Sequence, residues 1–172
     1  MVKKALFVLS FVFASVMTKA QFVNPLHVPD TLTGTTFNLT MAESTVQFLT
    51  GNPTTTFGIN ADYLAPTIIF NQGDIVQMNV TNLIDDTTTM HWHEMHVAHE
   101  DDGDPNTMIL PDTTWFLDFA VLDESTTFPY HPPLHHKNAP QVYNGAARIN
   151  ILRDYAEALL DLPQIYRVNA FT

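Results

Sequence analysis

The sequence contains no cysteine among its 172 residues. Without thiols the chain can form no disulfide scaffold, carry no lipid-modified cysteine and offer no thiolate to a metal ion. Any bound metal must therefore be held by histidine, carboxylate or methionine side chains.

Long apolar runs are also missing. The run from Ala5 to Met17 is shorter than the about 20 residues that a membrane-spanning helix needs. Because two lysines precede this run and a small residue follows it, residues 1–20 are predicted to be a secretory signal peptide. We expect an exported protein, periplasmic or secreted, with a single domain over residues 21–172 and no membrane partner.

Basic side chains are scarce. Seven lysine and arginine residues stand against 18 acidic ones, and the net charge is −11. Such a surface repels nucleic acid and anionic membranes, so we expect neither as a partner. Most of the acidic side chains are interpreted as part of a solvated surface.

The remaining pattern is typical of an all-β domain, because short segments rich in threonine, valine, isoleucine and phenylalanine alternate with turn-forming residues. In one of them Val76, Met78 and Val80 should face the core. One short C-terminal helix is predicted, from an N-cap at Asp154 to a stop before Pro163. The predicted strands are Thr36–Met41, Thr45–Leu49, Thr67–Phe70, Ile75–Thr81, Trp115–Val121 and Ala147–Leu152.

Seven of the eight histidines lie between residues 91 and 136. His91 and His93 are two positions apart, so on an extended strand they would point to the same side. His131, His135 and His136 form a second group downstream. A single histidine is usually a structural residue, but two groups with a His-x-His pair favour a metal site. Imidazole is a common ligand of copper and zinc.

Several ordered motifs carry a family resemblance. From about Pro25 to Thr172 the chain resembles the N-terminal, plastocyanin-like cupredoxin domain of bacterial multicopper oxidases, the laccase and bilirubin-oxidase-like group. The resemblance implies a Greek-key cupredoxin β-sandwich or barrel, and a chain truncated after the first domain of that family. The motifs are Gly58-Ile59-Asn60, Gly73-Asp74, Thr88-Thr89-Met90-His91-Trp92-His93, Asp102-Gly103, Tyr130-His131-Pro132, Gln141-Val142-Tyr143 and Leu162-Pro163.

The same resemblance implies a set of copper ligands. In that family the first domain gives two His-x-His pairs to a type 2 and type 3 copper cluster that reduces O₂. By resemblance, His91 is expected to bind type 2 copper, and His93 and His131 type 3 copper. The fourth position is Pro133, which has no nitrogen lone pair to offer. Either His135 or its neighbour His136 is a candidate to move towards the gap, and His135 is the one that we include among the expected metal ligands.

Other departures from the family fall at positions where glycine is usual, including Glu94, Asp112, His136 and Arg148, and Asn150 stands where an apolar residue is expected. Glu94 is expected to crowd the site, since a family glycine often marks a place where a side chain does not fit. The alternative is that its carboxylate binds the metal. Together these departures suggest a domain that has lost the family's chemistry or whose sequence is drifting.

The resemblance does not make this chain an oxidase on its own. In the family, electrons enter at a type 1 copper held by cysteine and histidines in the last domain, and the chain has no cysteine. We therefore expect no oxidation of phenolic or bilirubin-like substrates by the chain alone. One hypothesis is a copper-binding domain that meets a type 1 site on a second chain or in missing domains. The other is a metal-free β-sandwich remnant of a truncated oxidase gene.

Overall fold

The structure, a computed structural model, describes residues 27–161. The signal peptide predicted at residues 1–20 lies outside the described residues, as does Pro163. Within the described range the chain forms nine strands and two short helices. The strands are β1 (Thr31–Thr33), β2 (Thr36–Val46), β3 (Thr54–Ile59), β4 (Thr67–Asn71), β5 (Ile75–Asn82), β6 (His91–Trp92), β7 (Thr113–Ala120), β8 (Thr126–His131) and β9 (Arg148–Arg153), and the helices are α1 (Asn138–Tyr143) and α2 (Tyr155–Ala158).

The strands form two sheets, as the all-β prediction requires. The five-stranded sheet has the order β1-β4-β9-β8-β6, and the four-stranded sheet has the order β3-β2-β5-β7. Strands β1 and β4, β4 and β9, and β2 and β5 pair in parallel, and the other pairs are antiparallel. The chain crosses between the sheets repeatedly, so residues distant in sequence become neighbours at the sheet ends.

The hydrophobic core lies between the two sheets. On β5 the side chains of Val76, Met78 and Val80 are buried, which confirms the predicted alternation. Phe37 on β2 meets Phe70 on β4 edge to face, with ring centroids 5.4 Å apart. Burying an apolar side chain of this size stabilises the fold by about 1.5–3 kcal/mol.

Several elements differ from the prediction, since β1, β3 and β8 are not among the strands named from the sequence. No separate strand covers Thr45–Leu49, because β2 continues to Val46 and pairs there with β3. Helix α1 was not predicted. It contains Pro140, but this proline lies in the first turn, where the backbone N–H needs no partner within the helix.

The predicted C-terminal helix is present as α2. The carboxylate of Asp154 accepts a hydrogen bond from the Glu157 backbone N–H at 2.6 Å, so Asp154 is its N-cap as predicted. No helix in residues 27–161 is long and apolar enough to cross a membrane.

Candidate metal centre

One edge of the five-stranded sheet brings three histidines together. Strand β6 pairs antiparallel with β8, so that His91 lies opposite His131. His93 follows β6, and its backbone N–H donates to the Pro129 carbonyl on β8 at 3.1 Å. Ring centroids are 5.3 Å apart for His91 and His93, 5.4 Å for His93 and His131, and 6.0 Å for His91 and His131. These three residues are called the three-histidine cluster.

Two nitrogen atoms of the cluster face each other: His93 Nδ1 and His131 Nε2 are 3.4 Å apart. This separation is long for a hydrogen bond. Two imidazole nitrogens bound tetrahedrally to one metal ion, each at about 2.0–2.1 Å, would also lie about 3.3–3.4 Å apart. Across residues 27–161, no group of three histidine or carboxylate side chains is already arranged to enclose an ion. The spacing therefore fits two ligands of one ion, with further ligands not yet converged.

His91 is oriented by the loop between β6 and β7. Its Nδ1 lies 2.9 Å from the backbone oxygen of Asp102 and 3.3 Å from Asp102 Oδ1. When Nδ1 donates its proton to these oxygens, Nε2 keeps the lone pair that a metal needs. Gly103 permits this contact, because a Cβ at its position would lie 1.6 Å from the Met90 carbonyl oxygen. The Asp102-Gly103 motif thus orients a histidine, a role that its sequence did not reveal.

His131 is held in a form suited to metal binding. Burial lowers the pKa of its imidazole, and the neighbouring rings of His93 and His91 lower it further. The Pro132 carbonyl opposes this shift and is the second-largest influence after burial, and the Asn138 side chain opposes it less. Its Nδ1 is buried without a hydrogen-bond partner of normal geometry. The neutral ring, which is the form that binds metal ions, is therefore favoured.

The loop after β8 contains Pro133, at a position where the resemblance implies a ligand, and His135, its expected substitute. Pro133 is half-buried there, whereas His135 is exposed. The His135 ring lies 4.0 Å from the ring of His136. In the part of the chain that the structure describes, no ring contact joins His135 to the three-histidine cluster. His135 as a ligand stays a prediction.

Glu94, directly after His93, has a backbone φ of 65°, in the left-handed region that favours glycine. Its side chain is exposed, so the substitution strains the backbone and does not crowd the site as expected. For a residue with a Cβ this conformation costs about 1–2 kcal/mol. Asp112 and His136, two other positions where the resemblance implies glycine, have φ values of 56° and 64°.

A second histidine–carboxylate contact was not predicted. The Asp123 carboxylate accepts hydrogen bonds from the His96 backbone N–H at 3.0 Å and from His96 Nδ1. This hydrogen bond and the negative charge of Asp123 raise the pKa of His96. The pair ties the loop that follows His93 to the loop between β7 and β8. Because 27 residues separate the two side chains, no local sequence pattern signals the contact.

The sequence that forms this all-β sandwich and its three-histidine cluster matches a known protein family. The sequence model of the multicopper oxidase family matches residues 40–154. The chain belongs to the multicopper oxidase family. The multicopper oxidase mco of Staphylococcus aureus is 33% identical over 118 residues, which cover 69% of this chain and 26% of that protein.

A family member of known structure has the same fold. The laccase of Pediococcus acidilactici has a TM-score of 0.77 and 30% identity, over 83% of this chain and 32% of the laccase chain. The cell division protein FtsP of Escherichia coli is 29% identical over 150 residues, which cover 86% of this chain and 32% of that protein. The chain thus spans about a quarter to a third of the length of these relatives, and the shared part is a cupredoxin-like domain.

Proposed function

We propose that this chain is a copper-binding cupredoxin domain that contributes His91, His93 and His131 to a type 2 and type 3 copper site. The facing nitrogens of His93 and His131, 3.4 Å apart, carry the proposal. Residues from two different strand ends lie at the spacing of two ligands of one ion. His91 lies beside them with its Nε2 available. Imidazole ligands suit copper, which is the metal that the family name implies.

Each side chain of the cluster has a separate role in this proposal. Asp102 holds the His91 ring by Nδ1, so that Nε2 is directed to the metal. Burial keeps His131 neutral at the pH where copper binds. Copper held there would supply one-electron redox chemistry. The three histidines are only partly buried, which leaves room for ligands from a second protein surface.

Electrons for that chemistry must come from outside this chain. A type 1 copper needs a cysteine ligand, and the sequence contains none. The proposed partner is therefore a type 1 copper domain, on a second chain or in further domains of the kind that the longer relatives contain. By itself the chain is proposed to bind copper ions without oxidising phenolic or bilirubin-like substrates.

His135 is proposed as a fourth ligand in place of the histidine that Pro133 replaces. To reach the three-histidine cluster, its ring must leave that of His136. Both rings are exposed, so no buried environment holds His135 in its present position. Export through a signal peptide at residues 1–20 is part of the same proposal, since it would deliver the domain at residues 21–172 to the periplasm or the medium.

Copper content tests the proposal. The purified chain is equilibrated with micromolar Cu²⁺, freed of unbound metal and analysed by mass spectrometry and electron paramagnetic resonance. The wild type should retain copper stoichiometrically without a blue thiolate-to-copper band. His93→Ala and His131→Ala should lose it, whereas His99→Ala, which removes an exposed histidine of a nearby loop, should not. Equal copper in the wild type and His93→Ala would exclude the cluster as the site.

A metal-free β-sandwich is the second candidate function. Two observations favour it: Pro133 occupies a ligand position, and no group of three donors in residues 27–161 is arranged around one point. A relative that covers 86% of the chain is named for cell division and not for oxidation. Under this alternative the wild type retains no copper at micromolar concentration, and its copper spectrum is that of the free ion.

A further inference from the structure

Arg148, the first residue of β9, points into the space between the sheets, and its side chain is 4% exposed. Its Nε donates to the Thr67 hydroxyl at 3.2 Å. A guanidinium group has five N–H donors and keeps its positive charge at every physiological pH. This single hydrogen bond leaves most of its donors without a protein partner, and its terminal nitrogens are not among the solvent-excluded polar atoms, so solvent reaches them.

No carboxylate of the chain balances that charge. All 18 aspartate and glutamate residues lie between residues 30 and 161, within the described range, and none is within ion-pair distance of Arg148. Tyr130 is the neighbour of Arg148 across the sheet. Its hydroxyl donates to the Pro66 carbonyl, and burial raises the tyrosine pKa, so the phenol stays neutral.

Asn150, two residues along the same strand face, is fully buried, and its Oδ1 accepts no hydrogen bond, so it does not partner the Arg148 guanidinium. Burial lowers the pKa of Arg148. A buried ion without a counter-ion is strongly destabilising, and proteins usually pair such groups. The fold therefore leaves one largely buried positive charge that its own carboxylates do not balance.

We propose that Arg148 and Thr67 form a binding site for one small monovalent anion from the solvent, of the chloride class. Because Arg148 is only 4% exposed, its guanidinium is more accessible to a small ion than to a protein carboxylate or a bulky organic acid. Guanidinium is weakly hydrated and pairs well with such anions. Because Arg148 neighbours Tyr130, which precedes His131 on β8, the bound anion would stabilise the strand that carries one histidine of the cluster.

Thermal unfolding of the full chain in the absence of copper tests this site. Sodium gluconate is replaced stepwise by sodium chloride at constant ionic strength. The wild-type Tm should rise by about 2–5 °C and saturate, as expected for one site that only the folded state offers. Arg148→Met should show no chloride-dependent rise. Arg153→Met, which removes an arginine that already pairs with Glu157, should keep the wild-type rise.

A second measurement needs no variant. Chloride-35 NMR on the wild type should show excess line broadening that bromide removes by competition. Absence of this broadening, or the same Tm rise in wild type and Arg148→Met, would overturn the proposal. Asp30→Asn tests whether a carboxylate of the chain serves as the counter-ion of Arg148. Asp30 lies beside Thr67, because its backbone carbonyl accepts a hydrogen bond from the Thr67 N–H at 2.7 Å. A chloride response seen in Asp30→Asn but not in the wild type would identify Asp30 as the partner of Arg148 and also overturn it.

Discussion

His93 Nδ1 and His131 Nε2 lie 3.4 Å apart although 38 residues separate them in the chain. Their meeting depends on the register of β6 and β8. On the opposite face of the same two strands, Trp92 and Tyr130 are fully buried, with ring centroids 5.9 Å apart. A slip of one residue would expose these rings and bury the histidines. Burial of two aromatic residues thus sets the position of the candidate metal ligands.

Gly103→Ala should destabilise the protein by about 3 kcal/mol and weaken copper binding. The new Cβ would lie 1.6 Å from the Met90 carbonyl oxygen, and φ is 73°. The loop must then move, and Asp102 no longer holds His91. Gly34→Ala is the matched control: φ is 122°, but nothing lies within 4 Å. Urea unfolding should show a loss of only about 1 kcal/mol for it, with unchanged copper content. Equal losses in the two variants would contradict the role of Gly103.

Glu94→Gly should stabilise the fold by about 1 kcal/mol, because glycine removes the strain of a φ of 65° at an exposed position. The comparison is Glu124→Gly, an exposed glutamate whose backbone is not left-handed, where glycine should be neutral or destabilising. Urea denaturation measures both. If Glu94→Gly also lost copper, Glu94 would be a ligand and strain would not be its main effect.

Pro133→His should raise the affinity for Cu²⁺ at least about tenfold, since it restores the second His-x-His pair beside His131 and adds an imidazole ligand. Pro53→His places a new histidine on the exposed loop between β2 and β3 and serves as the control. Competition with a chelator of known affinity measures the Cu²⁺ affinity of the wild type and of both variants. An equal gain in both variants would point to non-specific binding by added histidine, and no gain would exclude position 133 as a ligand position.

The His96–Asp123 pair should give the protein a pH dependence. Because Asp123 raises the pKa of His96 in the folded state, protonated His96 stabilises the fold. This stabilisation is fully present below the ordinary histidine pKa of about 6.5, and it is lost as pH rises through the raised pKa. NMR titration should give a His96 pKa above the ordinary histidine value in the wild type and near that value in Asp123→Asn. Glu124→Gln should leave the His96 pKa unchanged. A wild-type His96 pKa at or below the ordinary value would refute the assignment.

Local sequence patterns were sufficient to predict the elements whose residues interact over a few positions of the chain. The burial of Val76, Met78 and Val80 follows from the alternation of side chains in β5. The N-cap at Asp154 follows from a hydrogen bond to a residue three positions away. Helix α1 and the full length of β2 were not predicted, because a proline is tolerated in the first turn of α1 and pairing with β3 extends β2 to Val46.

Composition and residue alternation alone indicated an all-β domain without thiolate ligands, in which histidines are the expected metal ligands. Which histidines meet follows from the fold: His131 joins His91 and His93, whereas the nearby His135 lies against His136. Composition and alternation constrain only residues that are a few positions apart. The meeting of side chains from separate strands depends on sheet register, which the burial of residues on the opposite face selects.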